Sequence, residues 1–419
     1  MIDSSTDIRL KNRYRAEKRF RFYCVSALIL ALLILVTLIS SIAISSIPAF
    51  TQTNIGIDVK MDNEHILQFE DNPEEVSWRS MQKKSFYAMF PEVETRTEKK
   101  ELNKLLSTGA YLNIKDFFLK NQNKLSNENI IYVPASDDVD LLLKDLIDRE
   151  LPEDMRTISD NQISYLDDLI SNNRIKKTIS WRLFSNSDSR EPELAGLKGG
   201  IVGTLLTMFV TLIISFPIGV LAAIYLEEIA PKNRFTDIIE VNINNLAAVP
   251  SIVYGLLGLA VFLNYLHMPR SAPLVGGIVL ALMTLPVIII STRAAMASIP
   301  PSIREAAYGV GASQMQVIVH HVFPLALPGI LTGTIIGIAR AAGETAPLLM
   351  IGMMAFIVDV PSKITDKATV LPAQIYMWAN NPERAFQAKT AAGIICLMVF
   401  LLLMNALAIY LRQKYENRW

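Results

Sequence analysis

The sequence of 419 residues is about half apolar and has a formal net charge of zero. It therefore lacks the basic excess typical of a nucleic-acid-binding protein, and we expect no nucleic-acid partner. Its apolar residues form six runs with almost no charge, each close to or above the ~20 residues that cross a bilayer. This predicts an all-α polytopic membrane protein with six transmembrane helices. The runs are roughly Phe22–Ile47, Ile201–Leu226, Leu246–Leu266, Leu274–Thr292, Leu325–Val358 and Ala391–Leu411.

The first run decides the orientation of the chain. It is longer than the apolar core of a secretory signal peptide, although the small segment Ala43–Ser45 would permit cleavage. We favour a retained helix, and an even number of spans then places both termini on one side. Residues 1–21 are strongly basic, which predicts that this side is the cytoplasm of a plasma-membrane protein. The basic residues are Arg9, Lys11, Arg13, Arg15, Lys18, Arg19 and Arg21.

Residues 48–197 form one long polar insertion between the first two runs, and the topology places it outside the membrane. Its net charge is roughly −8. Apolar residues alternate over residues 55–61, which predicts a strand, and Ser136 before three aspartates predicts a helix start. Strands are also expected at Ile130–Val133 and Lys177–Phe184. We therefore expect a mixed α/β extracytoplasmic domain.

Few groups in the sequence suggest metal or cofactor chemistry. The aspartates 137, 138 and 140 of the insertion could hold a cation, but acidic residues in a first helical turn are ordinary partners of the helix dipole. The four histidines form no spaced cluster with cysteine or carboxylate residues. We expect no catalytic site, no metal and no cofactor.

Residues 198–419 carry the five remaining runs, and glycine spacing predicts close helix packing within them. Gly329, Gly333 and Gly337 recur every four residues in the fifth run. Gly199 and Gly203 repeat this spacing at the start of the second run. Small residues at this interval let neighbouring membrane helices approach closely. The pattern specifies packing and not activity.

The segment 302–324 between the fourth and fifth runs carries two helix-start signals. Ser302 with Glu305, and Ser313 with Gln316, have the spacing of a capping box. Glycines lie between the two predicted helices, and Pro324 and Pro328 are expected to bound the passage into the fifth span. The spacing alone is compatible with a simple surface loop. Its small side chains also suit a docking element that a soluble partner grips.

Within this segment, the run Glu305, Ala306, Ala307 with Gly311 four residues further on resembles the EAA loop of ABC importer permeases. The family pattern ends in I-x-L-P; here Pro324 is in register, and the other two positions carry different bulky residues. In that family the loop inserts into a cleft on a cytoplasmic ATP-hydrolysing subunit. The resemblance implies that these four residues contact such a subunit. The chain has no G-x-x-x-x-G-K-[ST] phosphate loop, so the ATPase would be a separate polypeptide.

Arg340 and Glu344 lie four residues apart inside the fifth apolar run, where we expect them on one helical face. Charges inside a membrane span are costly, usually face a cavity and mark functional sites. A guanidinium suits the oxygens of phosphate or sulfate, Glu344 would hold Arg340 when the anion is absent, and Thr345 could add a hydrogen bond. A self-satisfied ion pair that only orients the helix is the alternative.

The segment Arg340–Leu348, RAAGETAPL, resembles the signature of phosphate-specific ABC permeases, more of the PstA type than of its PstC partner. Val249–Gly255 and Tyr225–Pro231 resemble two further motifs of that family, and together the matches cover about the last half of the chain. The resemblance implies the ABC importer permease fold, the bacterial inner membrane and inorganic phosphate as substrate. Arg340, Glu344 and Thr345 would belong to the substrate path.

The same resemblance implies the partners. They are a cytoplasmic ATP-binding subunit in two copies, a second permease of the PstC type, an extracytoplasmic phosphate-binding protein and phosphate-signalling proteins, besides membrane lipid. An importer of another oxyanion, such as sulfate or molybdate, is the alternative within transport. A secondary transporter and a membrane-anchored sensor are alternatives from other classes, although the chain has no cytoplasmic output domain that a sensor would need.

Overall fold

The structure, a computed structural model, describes residues 4–122, 125 and 128–415. Residues 1–3 and 416–419 of the two terminal segments lie outside the described residues, as do the side chains of Arg9, Lys11 and Leu411. The three strands are β1 Thr51–Val59, β2 Asn129–Pro134 and β3 Ile175–Ile179. The helices are α1 Ser4–Ser46, α2 Asn63–Asp71, α3 Trp78–Ala88, α4 Arg96–Asn103, α5 Ala110–Lys120, α6 Asp137–Leu143, α7 Asp160–Ser171, α8 Arg182–Ser185, α9 Lys198–Ile224, α10 Arg234–Ala247, α11 Ser251–Leu257, α12 Pro273–Ala297, α13 Pro301–Gly309, α14 Gln314–Val317, α15 Phe323–Gly343, α16 Ala346–Met350, α17 Leu371–Ala379 and α18 Ala385–Tyr415.

Membrane-spanning helices dominate the fold, as the sequence predicts. Among the described residues, five helices are long and apolar enough to cross a membrane, and α10 with α11 provides a sixth if this bent pair counts as one span. Three π-helical segments extend or join these helices, at Tyr225–Ile229, Gly258–Tyr265 and Ile318–Val322. The chain is therefore a multi-pass membrane protein with an all-α membrane part.

The third span differs from the prediction of one continuous helix over Leu246–Leu266. The chain bends by 102° between α10 and α11. Proline at position 250 disfavours helical geometry at the residue before it, and α11 starts only after Pro250. The predicted third span is therefore divided at Pro250, with α10 ending at Ala247 and α11 beginning at Ser251.

The insertion between α1 and α9 is a mixed α/β unit with its own core. Its sheet is antiparallel with the order β2-β1-β3, and Ile55 of the central strand pairs with Val133 on one side and Ile175 on the other. Helices cover this sheet with buried aromatic side chains. The Trp78 ring stacks on Phe118 at 6.2 Å between centroids and meets Phe69 edge-on at 5.9 Å. Such pairs add to the stabilisation from apolar burial.

One local expectation in the insertion is wrong in part, and the end of a second predicted element can now be given. The strand expected at Lys177–Phe184 ends at Ile179 and is followed by the short helix α8. The helix expected after Ser136 forms as α6 but ends at Leu143, since Asp145 adopts a φ of 58° that a right-handed helix does not allow. Leu146 is therefore outside the helix and half exposed.

In the membrane part, α12 lies between α9 and α15, and glycines set their separation. A Cβ on Gly333 would lie 2.2 Å from the Cβ of Ser291, and one on Gly329 would lie 2.6 Å from the Cβ of Ala295. The predicted small-residue face of the fifth span therefore packs directly on α12, the fourth span.

A polar junction connects the insertion with the membrane part. Trp378 of α17 donates its Nε1–H to Asp188 at 2.9 Å, and Gln374 donates to the Gly196 carbonyl at 2.8 Å. Lys389 of α18 donates to the Ala195 carbonyl. These side chains are buried, and such hydrogen bonds fix orientation more than apolar contact does. The insertion is thus attached where α9 and α18 begin, and this end of the membrane part is opposite to the end that carries α13.

Candidate functional site

Arg340 lies in the last turn of α15, and the structure corrects the expected geometry around it. The helix ends at Gly343, and Glu344 has an extended ψ of 127°. Glu344 is therefore the C-cap residue, and the pair keeps its i, i+4 spacing at the last turn of α15 instead of lying inside a longer helix. The two charges still meet across the helix end, with 3.7 Å between Arg340 Nε and Glu344 Oε1.

This contact leaves the guanidinium largely free. The Arg340 side chain is 52% exposed, and the 3.7 Å separation is too long for a hydrogen bond. Among the residues that the structure describes, no acceptor takes a hydrogen bond from this guanidinium, which has five N–H donors. Arg340 therefore presents a positive, unsatisfied donor group at the end of a membrane helix. An oxyanion can accept hydrogen bonds from it.

The break between α15 and α16 also contains Thr345. This residue is half buried and occupies the N-cap position of α16, without a side-chain capping bond. Its carbonyl accepts the first bond of α16, from the Leu349 amide at 3.0 Å. Arg340, Glu344 and Thr345 are thus gathered at one interruption of the helix, which lies between Gly343 and Pro347.

Two of the sequence motifs are in direct contact here. A Cβ on Gly255 of α11 would lie 2.6 Å from Pro347 Cα, so only glycine fits between α11 and α16. The neighbouring Tyr254 is buried and donates its hydroxyl to the Leu246 carbonyl at 2.8 Å. The motif at 249–255 therefore supports the helix break that carries the Arg340 motif.

The candidate coupling surface lies at the other end of the bundle, on α13 and the turn after it. Gly311 has a φ of +86°, which favours glycine. The Gly311 amide donates to Tyr308 and the Ala312 amide donates to Ala307, the bond pattern of a Schellman motif. Glu305, Ala306 and Gly311 are exposed as a docking role requires. Ala307 is instead 5% exposed and packs against the chain's own core.

One of the two expected capping boxes forms. Ser313 donates its amide to Gln316 Oε1 at 2.9 Å, which begins α14 as predicted. The Ser302–Glu305 box is absent, because α13 starts at Pro301 with Pro300 as the N-cap residue. The helix then runs without a break over Gln314–Gly343, so Pro324 and Pro328 do not bound the passage into the fifth span.

The sequence reasoning missed the apolar residues of this surface. Tyr308 is 49% exposed, Val310 is 86% exposed and Met315 is 60% exposed. They lie beside exposed Glu305 and Ala306. Large apolar side chains grouped at one end of a membrane protein's polar surface indicate a protein contact. The feature of the sequence that could have identified these residues was their position within the predicted docking segment 302–324.

A second missed feature is an ion-pair network behind α13. Arg304 of α13 contacts Glu228, with 2.6 Å between Nη2 and Oε1. Arg293 of α12 contacts Glu227 at 3.2 Å and Glu240 at 2.7 Å. The two adjacent glutamates belong to the Tyr225–Pro231 motif, whose residues carried no assignment from sequence.

The acidic residues at the start of α6 do not form a cation site. Asp140 accepts a hydrogen bond from the Thr53 amide at 2.9 Å and pairs with Lys144, while Asp138 accepts from Thr157 at 2.6 Å. Burial, together with nearby Asp138, raises the pKa of Asp137 to about 6. In the described part of the chain, no group of three His, Cys, Asp or Glu residues could hold a metal ion.

Comparison with known proteins divides the chain into two matched regions. Residues 215–417 match the family described as binding-protein-dependent transport system inner membrane component. Residues 7–153 match a domain of unknown function, DUF3333. The second match covers α1 and most of the insertion.

Curated relatives share the permease region. The phosphate transport system permease protein PstA of Haemophilus influenzae is 31% identical over 57% of this chain and 83% of its own length. PstA of Pasteurella multocida is 31% identical over 83% of its length, and PstA 1 of Mycobacterium tuberculosis strain H37Rv is 30% identical over 70%.

Solved structures give weaker matches. The inward-facing MetNI methionine ABC transporter aligns with a TM-score of 0.41 and 17% identity over 53% of this chain and 95% of that chain. A bacterial ABC transporter involved in alginate import aligns with a TM-score of 0.41 and 18% identity over 52% of this chain and 79% of that chain. The sequence relationship alone is sufficient to assign the family, because several PstA relatives match over most of their own length. The chain belongs to the family of phosphate transport system permease proteins of the PstA type.

Proposed function

We propose that this chain is the transmembrane permease subunit of an ATP-driven importer of inorganic phosphate. The observation that carries the proposal is Arg340, a half-exposed guanidinium at the end of a membrane helix, inside the motif that resembles phosphate permeases. It donates no hydrogen bond to any residue that the structure describes. Such a group binds a small oxyanion with charge-assisted hydrogen bonds. The relatives' names supply the identity of that anion.

The release of the anion follows from Glu344. Its carboxylate stands 3.7 Å from Arg340 Nε, close enough to compete electrostatically with a bound anion. Phosphate would displace this weak contact, Thr345 would add a hydrogen bond, and Glu344 would regain Arg340 when the anion leaves. The site would thus bind strongly enough for capture and weakly enough for release.

The partners complete the proposal. A separate ATP-binding subunit in two copies would grip the exposed residues Glu305, Ala306 and Gly311. A second, PstC-type permease would close the path, and a phosphate-binding protein would deliver the anion from outside. Both chain termini would lie in the cytoplasm. The division into a basic segment 1–21, a first span 22–47, an outer domain 48–197 and a permease domain 198–419 belongs to this proposal.

Reconstitution tests the substrate. The full complex in proteoliposomes should accumulate radiolabelled phosphate only with ATP and with the binding protein present, and unlabelled sulfate or molybdate should not compete. Accumulation of sulfate or molybdate in place of phosphate would favour the other oxyanion importer. Uptake without the ATP-binding subunit would indicate a secondary transporter.

Substitution of Glu305 tests the coupling surface. Glu305→Lys reverses an exposed charge on α13 and should loosen the ATP-binding subunit roughly tenfold in pull-down. Glu150→Lys makes the same change on an exposed residue of the insertion and serves as the matched control. Equal recovery of the ATP-binding subunit by both variants would remove Glu305 from the docking surface.

A further inference from the structure

The network behind α13 joins five helices through two adjacent glutamates. Glu227 and Glu228 lie in the π-helical segment Tyr225–Ile229 that ends α9. Neighbouring residues of a helix point in directions ~100° apart, so one glutamate can face α13 while the other faces α12 and α10. π-helical turns are rare and frequently occur at functional sites.

The Glu228 side of the network is the tighter one. Arg304 directs both Nε and Nη2 to this carboxylate, at 3.2 Å and 2.6 Å. Gln314 of α14 donates to the Glu228 carbonyl at 2.7 Å. The Glu228 side chain is 11% exposed, and partial burial strengthens such charge-assisted bonds.

Arg304 also holds the end of the fourth span. Its Nη1 donates to the Ile299 carbonyl at 2.9 Å, and its Nη2 donates to the Met296 carbonyl at 3.0 Å. These carbonyls lie in the last turn of α12 and just beyond it, where intrahelical partners run out. A displacement of α13 therefore acts on α9 and α12 through one side chain.

Glu227 continues the connection away from α13. It accepts from Arg293 of α12, and Arg293 also donates to Glu240 of α10 at 2.7 Å. The α10 helix lies directly before the sharp bend into α11, and α11 packs through Gly255 on the break that carries Arg340. The described contacts thus form a continuous chain from the docking helix to the helix break.

We propose that Glu227 and Glu228 are positioning residues that transmit the displacement of α13 to α9, α12 and α10. The proposal rests on the transport function proposed above and adds the route by which ATP hydrolysis moves the substrate path. The two residues touch neither substrate nor ATP. Loss of the link should uncouple hydrolysis from transport and leave the ATPase itself active.

The main experiment measures phosphate imported per ATP hydrolysed by the complete complex in proteoliposomes. Glu228→Gln keeps the side-chain shape and removes the charge, and it should lower this ratio roughly tenfold with ATP hydrolysis retained. Glu227→Gln should lower the ratio less. Glu228→Asp, which retains the carboxylate, should recover part of it. Asp167→Asn breaks the exposed Arg149–Asp167 pair in the insertion and is the matched control with an unchanged ratio.

A second readout does not depend on the substrate. With Cys24 and Cys396 replaced by alanine, Gly343→Cys places a thiol beside Arg340, where the structure leaves open space. ATP should change the rate at which a maleimide labels this thiol, and Glu228→Gln should abolish that response. An unchanged response and an unchanged ratio in Glu228→Gln would overturn the proposal. If Glu228→Gln lost ATP hydrolysis, transport and thermal stability equally, the network would have a structural role alone, and the proposal would be wrong. Absence of phosphate uptake by the unsubstituted complex would refute only the proposed function.

Discussion

Arg304 and Arg340 are both arginines at helix ends of the membrane part, and the protein uses them in opposite ways. Arg304 donates to one carboxylate and two carbonyls and is 21% exposed. Within the described part of the chain, the ionic contact of Arg340 is the 3.7 Å approach to Glu344, and its side chain is 52% exposed. A guanidinium whose donors are satisfied by the protein holds helices together, whereas one with free donors remains available to a ligand. On the proposals made above, the first links α13 to α9 and α12, and the second binds the anion.

Substitution of the two arginines should give the largest effects and can break this comparison directly. Arg340→Gln removes the free donors and should lower phosphate uptake at least roughly a hundredfold, as expected for the loss of a charged binding partner. Its thermal stability should change by less than about 0.5 kcal/mol, because the side chain makes no strong contact. The measurement is uptake and thermal unfolding of the same purified complex.

Arg304→Gln provides the contrast for that experiment. It breaks the Glu228 pair and leaves partly buried groups without partners, which should destabilise the complex by roughly 3 kcal/mol. The comparison fails if Arg340→Gln is the destabilised variant, or if Arg340→Gln imports phosphate normally.

Glu344→Gln sharpens the role of Arg340 and should give the next largest effect. Without a competing carboxylate, phosphate should bind more tightly, so the KM for uptake should fall roughly three- to tenfold. Release should become slower, and the maximal rate should fall with it. Initial-rate kinetics over a range of phosphate concentrations measure both quantities. A raised KM would mean that Glu344 assists phosphate binding and does not compete with it.

The sequence predicts the membrane part better than it predicts these sites. Long uncharged runs identify spans because burial of apolar surface dominates their energetics. Glycine spacing correctly indicates that a neighbouring helix packs closely on the fifth span, and the structure identifies that neighbour as α12. The apolar run past Arg340 concealed the helix end at Gly343, since hydropathy does not report backbone breaks. The Arg304–Glu228 pair joins residues 76 positions apart, and no local pattern specifies such a contact.

The sequence also does not specify which side of a short helix is buried. The EAA resemblance treats Ala307 like Ala306, yet Ala307 lies on the inner side of α13 and only Ala306 faces outward. The choice depends on how the helix rests on α12 and α14, which is a tertiary property. Conversely, local patterns in the sequence predicted a strand over 55–61 and a helix start after Ser136, although β1 ends at Val59 and the Ser136 side chain makes no capping bond.

Gly255→Ala tests whether support from α11 matters to the Arg340 site. An added methyl group would overlap Pro347 Cα at 2.6 Å, and overpacking of this kind costs about 1–3 kcal/mol. We expect lower thermal stability and a several-fold loss of uptake. Gly337→Ala is the matched control, because its added Cβ would make only ordinary contacts, with Ile288 and Val287 at 3.8 Å. Equal behaviour of the two variants would show that the two motifs do not support each other.

The carboxyl groups of Glu193 and Glu228 allow a comparison similar to that of the two arginines. Substitution of Glu193 should have the smallest effect of the changes considered. It lies at the junction of the insertion with α18 and is 7% exposed, and its Oε2 has no hydrogen-bond partner in the part of the chain that the structure describes. Burial raises its pKa to about 7, although a hydrogen bond from Ser107 opposes the shift. Arg182 and Lys389 lie close enough to interact with its charge, but among the described residues no arginine donates a hydrogen bond to this carboxyl, unlike that of Glu228.

The sign of the pH dependence follows from that raised pKa. An unfolded chain ionises Glu193 near the ordinary value of 4.5, whereas the folded protein keeps it neutral up to about 7. Its contribution is therefore fully present below the unfolded pKa and is lost as the pH rises through the folded pKa. Between about pH 6 and about pH 8, stability should fall by about 1 kcal/mol on this account.

Glu193→Gln should remove this pH dependence, so that thermal stability no longer falls over that pH range, and it should leave phosphate uptake unchanged. Glu150→Gln changes an exposed glutamate and should leave the dependence of thermal stability on pH as it is in the unsubstituted protein. A profile in Glu193→Gln as steep as in the unsubstituted protein would place the titrating group elsewhere, with Asp137 as the next candidate because its pKa is also raised by burial.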